Sequence, residues 1–75
     1  MTFFDLFAGA GGFSLGFEMA GAECLLMVEK DEWAFKTYQQ NRWKSNAIML
    51  RGDIKLFQLE EITRMVKERP DIIIG

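Results

Sequence analysis

The sequence predicts an α/β domain built on a parallel sheet, and three features predict it. Short apolar runs alternate with longer amphipathic segments in the order β-α-β-α-β-α-β. The runs are apolar at consecutive positions, the pattern of strands buried on both faces. A glycine-rich turn stands between the first strand and the first helix. Right-handed crossovers between parallel strands then give a doubly wound half-sheet of order 3-2-1-4, with helices on both faces. That order places the carboxyl ends of strands one and four at the switch point, where open α/β sheets bind ligands.

Each element follows from local pattern. Residues 2–6 read as a short strand and residues 7–12 as the turn. Residues 12–20 read as a helix with Phe13, Phe17 and Ala20 along one face, and Gly21 stands where a helix stops. Residues 22–28 form a second strand. Asp31 is a candidate N-cap for a helix running to Asn41. Residues 47–50 form a third strand, and Asp53 stands in the turn beyond it. A helix is expected over 56–69, where Leu59, Ile62 and Met65/Val66 have helical spacing, and Pro70 ends it. Asp71 opens a last apolar run, Ile72-Ile73-Ile74-Gly75. Phe13, Phe17 and Trp43 are expected to pack, Cys24 to be an inert core thiol, and Arg42, Lys44 and Arg51 to be solvated charges.

Composition narrows the function classes. With 49% hydrophobic and 27% charged residues the balance is that of a globular domain. One domain is expected, over residues 1–75. One cysteine forbids an internal disulfide, and the lack of histidine leaves no zinc-site spacing, so no metal is expected. No apolar run approaches a membrane span, and the start lacks the basic region of a signal peptide, so an intracellular, cytoplasmic location is expected. The net charge of −2 is unlike a domain that grips nucleic acid by itself.

The richest segment is Asp5-Leu6-Phe7-Ala8-Gly9-Ala10-Gly11-Gly12-Phe13-Ser14. Gly9, Gly11 and Gly12 let a ligand approach the main chain, and the helix beyond offers free N–H groups. Three ligand classes use such a turn. A phosphate loop needs Lys and Ser/Thr after its second glycine, but Phe17 and Glu18 follow Gly16. A dinucleotide turn needs a third small residue, and Ser14 gives a partial match. The turn of S-adenosyl-L-methionine enzymes has no pyrophosphate to cradle, and Phe7 suits it as an aromatic wall. Glu29, at the end of strand two, is placed to accept hydrogen bonds from ribose hydroxyls. Asp53, at the end of strand three, is placed to accept from an adenine amino group. Alone, each of these carboxylates is more often a solvated or capping residue; together, at neighbouring strand ends, they favour a nucleotide-like ligand.

These motifs resemble those of the DNA (cytosine-5) methyltransferases. Asp5-Leu6-Phe7-Ala8-Gly9-x-Gly11-Gly12-Phe13-Ser14-x-Gly16 is similar to the first motif of that family, Glu29-x-Asp31 to the second and Gly52-Asp53-Ile54 to the third. Pro70-Asp71-Ile72-Ile73-Ile74-Gly75 is similar to the strand entering the fourth. The resemblance implies a Rossmann-like S-adenosylmethionine-dependent methyltransferase fold, truncated to four strands. It implies that Phe7 packs on the cofactor, that Gly9, Gly11 and Gly12 give it room, and that Asp5 supports the turn and the methionine end. It implies Glu29 on the ribose, Asp53 on the adenine amino group and Ile54 against the ring. Lys30 stands where some members have a tryptophan, so its stem would cover the adenine there.

The family's chemistry begins with a cysteine thiolate attacking C6 of a flipped-out cytosine, after which C5 takes the methyl group. That cysteine stands in a Pro-Cys pair beyond the strand at Ile72-Ile73-Ile74. The expectation is therefore a cofactor-binding fragment that is inactive alone, from a parent that methylates DNA in restriction-modification. DNA would be held by other regions of the parent. The exposed edge of strand four would pair with a second copy or another chain. The rival readings are an adenosylmethionine enzyme acting on RNA or a small molecule, the start of a nicotinamide- or flavin-binding oxidoreductase, and a non-catalytic interaction module.

Overall fold

The computed structural model describes residues 1–9 and 11–75, and for Leu59 the backbone only. Ala10, in the middle of the expected turn, lies outside the described residues. The elements are β1 (Thr2–Asp5), α1 (Gly12–Met19), β2 (Glu23–Glu29), α2 (Glu32–Asn41), β3 (Ile48–Arg51), a single 3-10 turn (Ile54–Leu56), α3 (Leu59–Met65) and β4 (Ile72–Ile74). The sheet has the order β3-β2-β1-β4 with every pair parallel. This is the expected 3-2-1-4 arrangement.

The sheet is covered on both faces, because β1 and β2 carry apolar side chains on both. On one face Phe3, Cys24 and Met27 pack with Phe17 of α1 and with Phe35 and Tyr38 of α2. On the other, Phe4, Leu26 and Val28 pack with Ile62 of α3 and with Val66 just beyond it. Full burial of a side chain such as Phe3, Leu26 or Val28 contributes about 1.5–3 kcal/mol. The pairing of β1 with β2 slips once: Phe3 faces Cys24, but Phe4 faces Leu26. Leu25 is thus an extra residue, and it packs on the same face as Leu26. Without this bulge the later residues of β2 would swap faces relative to β1. The bulge therefore sets the phase in which Glu29 leaves the sheet.

The helix ends have visible causes. The Asp31 carboxylate accepts from the Ala34 N–H at 2.8 Å and caps α2. At the end of α1, Gly21 has φ 94°. Its N–H reaches the Glu18 carbonyl at 3.0 Å while the Ala22 N–H reaches that of Phe17 at 2.9 Å. These two bonds form a Schellman ending. At the amino ends of β1 and β4, the Thr2 N–H donates to Asp71 Oδ2 at 2.8 Å and the Asp71 N–H to the Thr2 carbonyl at 3.0 Å.

Three expectations are corrected. The helix expected over 56–69 is two shorter pieces, the 3-10 turn and α3. Asp53 caps the first piece, and Phe57 is then extended (φ −104°, ψ 132°). Val66 is extended too, turning its side chain into the core, and Pro70 disfavours helix at Arg69. Second, Phe13 is 78% exposed. The buried line of α1 runs instead through Ser14 and the half-buried Phe17 and Glu18, because a polar residue takes the inward position. Only Phe17 packs as expected, its ring 5.5 Å from that of Phe3. Third, Trp43 is 76% exposed, in the loop after α2, with the Lys44 ammonium 4.9 Å over its ring. The inward direction at this point belongs to Arg42.

Candidate functional site at the carboxyl edge of the sheet

The register brings the strand ends to one edge. Asp5 pairs with Met27 and Ile74, and Glu29 pairs with Arg51. The β1–α1 turn, the β2–α2 connection and the β3 turn therefore lie side by side. Backbone bonds tie them: the Ala8 N–H donates to the Val28 carbonyl at 3.1 Å, the Gly52 N–H to that of Glu29 at 2.9 Å, and the Leu6 N–H to that of Ile74 at 2.9 Å.

Glu29 is the hinge of this edge. One carboxylate oxygen accepts from the Gly9 N–H at 2.8 Å and the other from the Asp31 N–H at 2.7 Å. Both oxygens are thus anchored by backbone, and each keeps acceptor capacity for a further donor. Gly9 has φ 55°, and a side chain there would enter open space; the same is true of Gly12. Among the described residues, none beyond the adjoining chain lies within 4 Å of a Cβ placed at these two positions, so a ligand can approach the main chain there.

Asp5 lies beneath the turn. It is 2% exposed, so it acts on the turn from below. Its oxygens accept from the Phe7 N–H at 3.3 Å and from the Ser14 hydroxyl at 2.7 Å. The Tyr38 hydroxyl donates to Ser14 Oγ at 3.0 Å and lies 3.5 Å from Cys24 Sγ. Burial pushes the Asp5 carboxyl above its ordinary value; the Ser14 and Phe7 donors and the Arg42 charge oppose this, and Glu29 reinforces it. Burial likewise pushes the Tyr38 phenol and the Cys24 thiol upward. Cys24 is a buried thiol in a core cluster, as its apolar context predicts.

The other expected residues lie around this frame. Phe7 is 57% exposed, and its ring abuts Gly75 at the end of β4. Asp53 is half-buried, and its Oδ1 accepts from the Lys55 N–H at 3.0 Å. Ile54 is half-buried against the cluster on the α3 face, and Lys30 is exposed. A broad concavity at the opposite edge, among Leu25, Trp43, Lys44, Ile48 and Val66, contains none of the nine expected site residues.

Tyr38 and Ser14 carry roles that the sequence pattern does not show, and Arg42 departs from its expected one. Nothing in the sequence pattern singles out Tyr38, and Ser14 stands there as a partial third position of a dinucleotide turn and as a member of the first-motif resemblance, with no buried role assigned to it. Arg42 was expected to be solvated. Its side chain is instead 8% exposed and paired with Glu18 at 2.9 Å. The available signal was the i, i+4 spacing of Tyr38 and Arg42, which puts both on one face of α2's last turn.

The family model described as C-5 cytosine-specific DNA methylase matches residues 1–75. The chain belongs to this family. Among curated relatives, the type II methyltransferase M.DdeI of Desulfomicrobium norvegicum is 41% identical over 75 residues, which is 100% of this chain and 18% of the relative. Type II methyltransferase M.HpaII of Haemophilus parainfluenzae is 40% identical over 72 residues, 96% of this chain and 18% of the relative. A crystal structure of a prophage-encoded DNA modification methyltransferase of E. coli superposes with a TM-score of 0.85 at 35% identity, covering 100% of this chain and 22% of that one. The chain thus spans about a fifth of the length of these relatives. The α/β sheet expected from the strand pattern, and the methyltransferase fold that the resemblance implies, are those of this solved neighbour. No helix among the described residues is long and apolar enough to cross a membrane.

Proposed function

We propose that residues 1–75 form the S-adenosyl-L-methionine-binding part of a DNA (cytosine-5) methyltransferase of the restriction-modification type. The whole protein transfers a methyl group to C5 of cytosine in DNA, inside the cell. Family membership supports the reaction, and the observation that carries the cofactor reading is the geometry of Glu29. Its two oxygens are fixed by the Gly9 and Asp31 N–H groups and retain capacity for two ribose hydroxyls. Preorganised acceptors of this kind cost little to order when the ligand arrives.

The residues present fit the cofactor. The open spaces at Gly9 and Gly12 accept its chain close to the backbone. Asp5 holds the turn from below through the Phe7 N–H and Ser14. The exposed Phe7 ring gives an apolar wall, and the Lys30 stem and Ile54 flank the adenine side. Asp53 keeps acceptor capacity for the adenine amino group while it caps its own turn. When bound, the cofactor supplies an electrophilic methyl group.

Cys24 does not supply the thiolate that the family's reaction needs. It lies between the sheet and its helices, touches Tyr38, and has its thiol pushed upward by burial. The attacking thiolate and the DNA-holding surface come from other regions of the parent. Calorimetry with S-adenosylhomocysteine and with NAD tests the cofactor assignment. Binding of the first and not the second is expected, and the reverse result would overturn it. A labelled methyl-transfer assay on the 75-residue chain is expected to show no DNA methylation; turnover would contradict the reading of Cys24.

A further inference from the structure

We propose that Arg42 is a positioning residue for the cofactor turn, holding the Gly11 carbonyl so that the first turn of α1 keeps its ligand-ready shape. This rests on the cofactor reading above. The guanidinium is engaged in three directions. Its Nε donates to Glu18 Oε1 at 2.9 Å, a terminal nitrogen donates to the Gly11 carbonyl at 2.7 Å, and its central carbon Cζ lies over the Tyr38 ring, 4.1 Å from the ring centre. The Glu18 carboxylate balances the buried charge, so the Arg is held without an uncompensated cation.

Gly11 is built around this contact. It has φ 99°, and a Cβ there would fall 2.8 Å from the guanidinium carbon. Arg42 occupies the space that the missing side chain leaves. The same Gly11 oxygen also accepts the Leu15 N–H at 2.9 Å, the first bond of α1. One oxygen therefore fixes both the helix start and the link to α2. Tyr38, one turn earlier on α2, reaches Ser14 at 3.0 Å, so α2 grips the start of α1 at two points.

The need for a clamp follows from composition. Three of the four residues 9–12 are glycine, and glycine loses the most backbone freedom on ordering. A turn left free would populate many shapes, and its apparent affinity would fall by the fraction that is competent. The Arg fork can satisfy two acceptors at fixed geometry, which a lysine ammonium cannot reproduce.

Arg42→Met, Arg42→Lys and a core control on the opposite face, Val66→Ala, separate positioning from mere stability. Each is measured for S-adenosylhomocysteine affinity under conditions where it is folded, and for ligand-free exchange of the Leu15 amide. Arg42→Met is expected to lose about tenfold or more in affinity, in line with a lost charge-assisted hydrogen bond, and to exchange Leu15 faster. Arg42→Lys is expected to recover part of both, and Val66→Ala to keep wild-type affinity despite its lower melting temperature. Arg42→Met binding within about twofold of wild type, or Val66→Ala losing as much as Arg42→Met, would overturn the proposal. Should Arg42→Met not fold, Arg42→Lys carries the same comparison. If the wild type fails to bind, the cofactor reading falls by itself; the clamp is then decided by exchange, and unchanged Leu15 protection in the variants overturns it.

Discussion

Replacing Ser14 with alanine removes one hydroxyl and takes a partner from two buried groups. Asp5 loses the donor at 2.7 Å, and the Tyr38 hydroxyl loses its acceptor at 3.0 Å. Ser14 and Tyr38 are fully buried and Asp5 nearly so, and water does not readily replace what is lost. A hydrogen bond to a charged group is worth about 1.5–3 kcal/mol and a neutral one about 1 kcal/mol. Alanine's better helix propensity returns about 0.5 kcal/mol. The net cost at neutral pH is therefore about 2–3.5 kcal/mol, or a melting temperature lower by roughly 10–30 °C for a domain of this size.

The pH dependence identifies the partner. The folded-state value of Asp5 lies above its ordinary 3.8. Its contribution to stability is therefore complete below that value and is lost as pH rises through the folded value. The Ser14 donor holds the folded value down, so its removal moves that value further up. The deficit of Ser14→Ala is expected to be smallest in acid and to grow with rising pH until Asp5 is ionised. Urea unfolding of both proteins, followed by circular dichroism from about pH 3 to about pH 8, measures this difference. A deficit that is flat across this range, or below about 0.5 kcal/mol throughout, would refute the buried Asp5–Ser14–Tyr38 chain. Tyr38→Phe, at about 1 kcal/mol, keeps the test open if the alanine variant is too unstable to study.

Other perturbations give further outcomes. Glu29→Gln turns one anchored oxygen into an amide that meets a backbone N–H, and S-adenosylhomocysteine affinity measured by calorimetry should fall by about tenfold or more. Gly11→Ala places a methyl group against the Arg42 guanidinium at a positive φ, and should lower stability in urea unfolding by at least about 1–3 kcal/mol. Ile73 is 59% exposed on the edge strand β4, and the 75-residue chain should self-associate with rising concentration in light scattering. Ile73→Lys should reduce that association; a wild-type monomer at high concentration would contradict it.

The parallel order 3-2-1-4 was legible because each strand is a continuous apolar run, and crossover handedness leaves few alternatives. The strand-end position of Glu29 and Asp53 was legible for the same reason. The buried face of α1 was not. Apolar spacing favoured Phe13, but the buried Asp5 carboxylate needs a donor, and Ser14 supplies it. That demand is visible only once Asp5 is known to be buried. Arg42 was misread because a cation next to Trp43 and Lys44 looks like a solvated loop. Its true neighbours, Gly11 and Glu18, are 31 and 24 residues away. The end of α3 depended on Val66 turning into the core, a tertiary effect that helical spacing over 56–69 does not show.

The claim that the carboxyl edge binds S-adenosylmethionine is tested most directly by amide shifts on adding S-adenosylhomocysteine to the ¹⁵N-labelled chain. The largest changes are expected on Phe7, Gly9, Gly11, Gly12, Glu29, Lys30, Asp53 and Ile54. Changes confined to Glu23, Lys44 and Ile48 at the opposite edge, or none at saturating ligand, would contradict it.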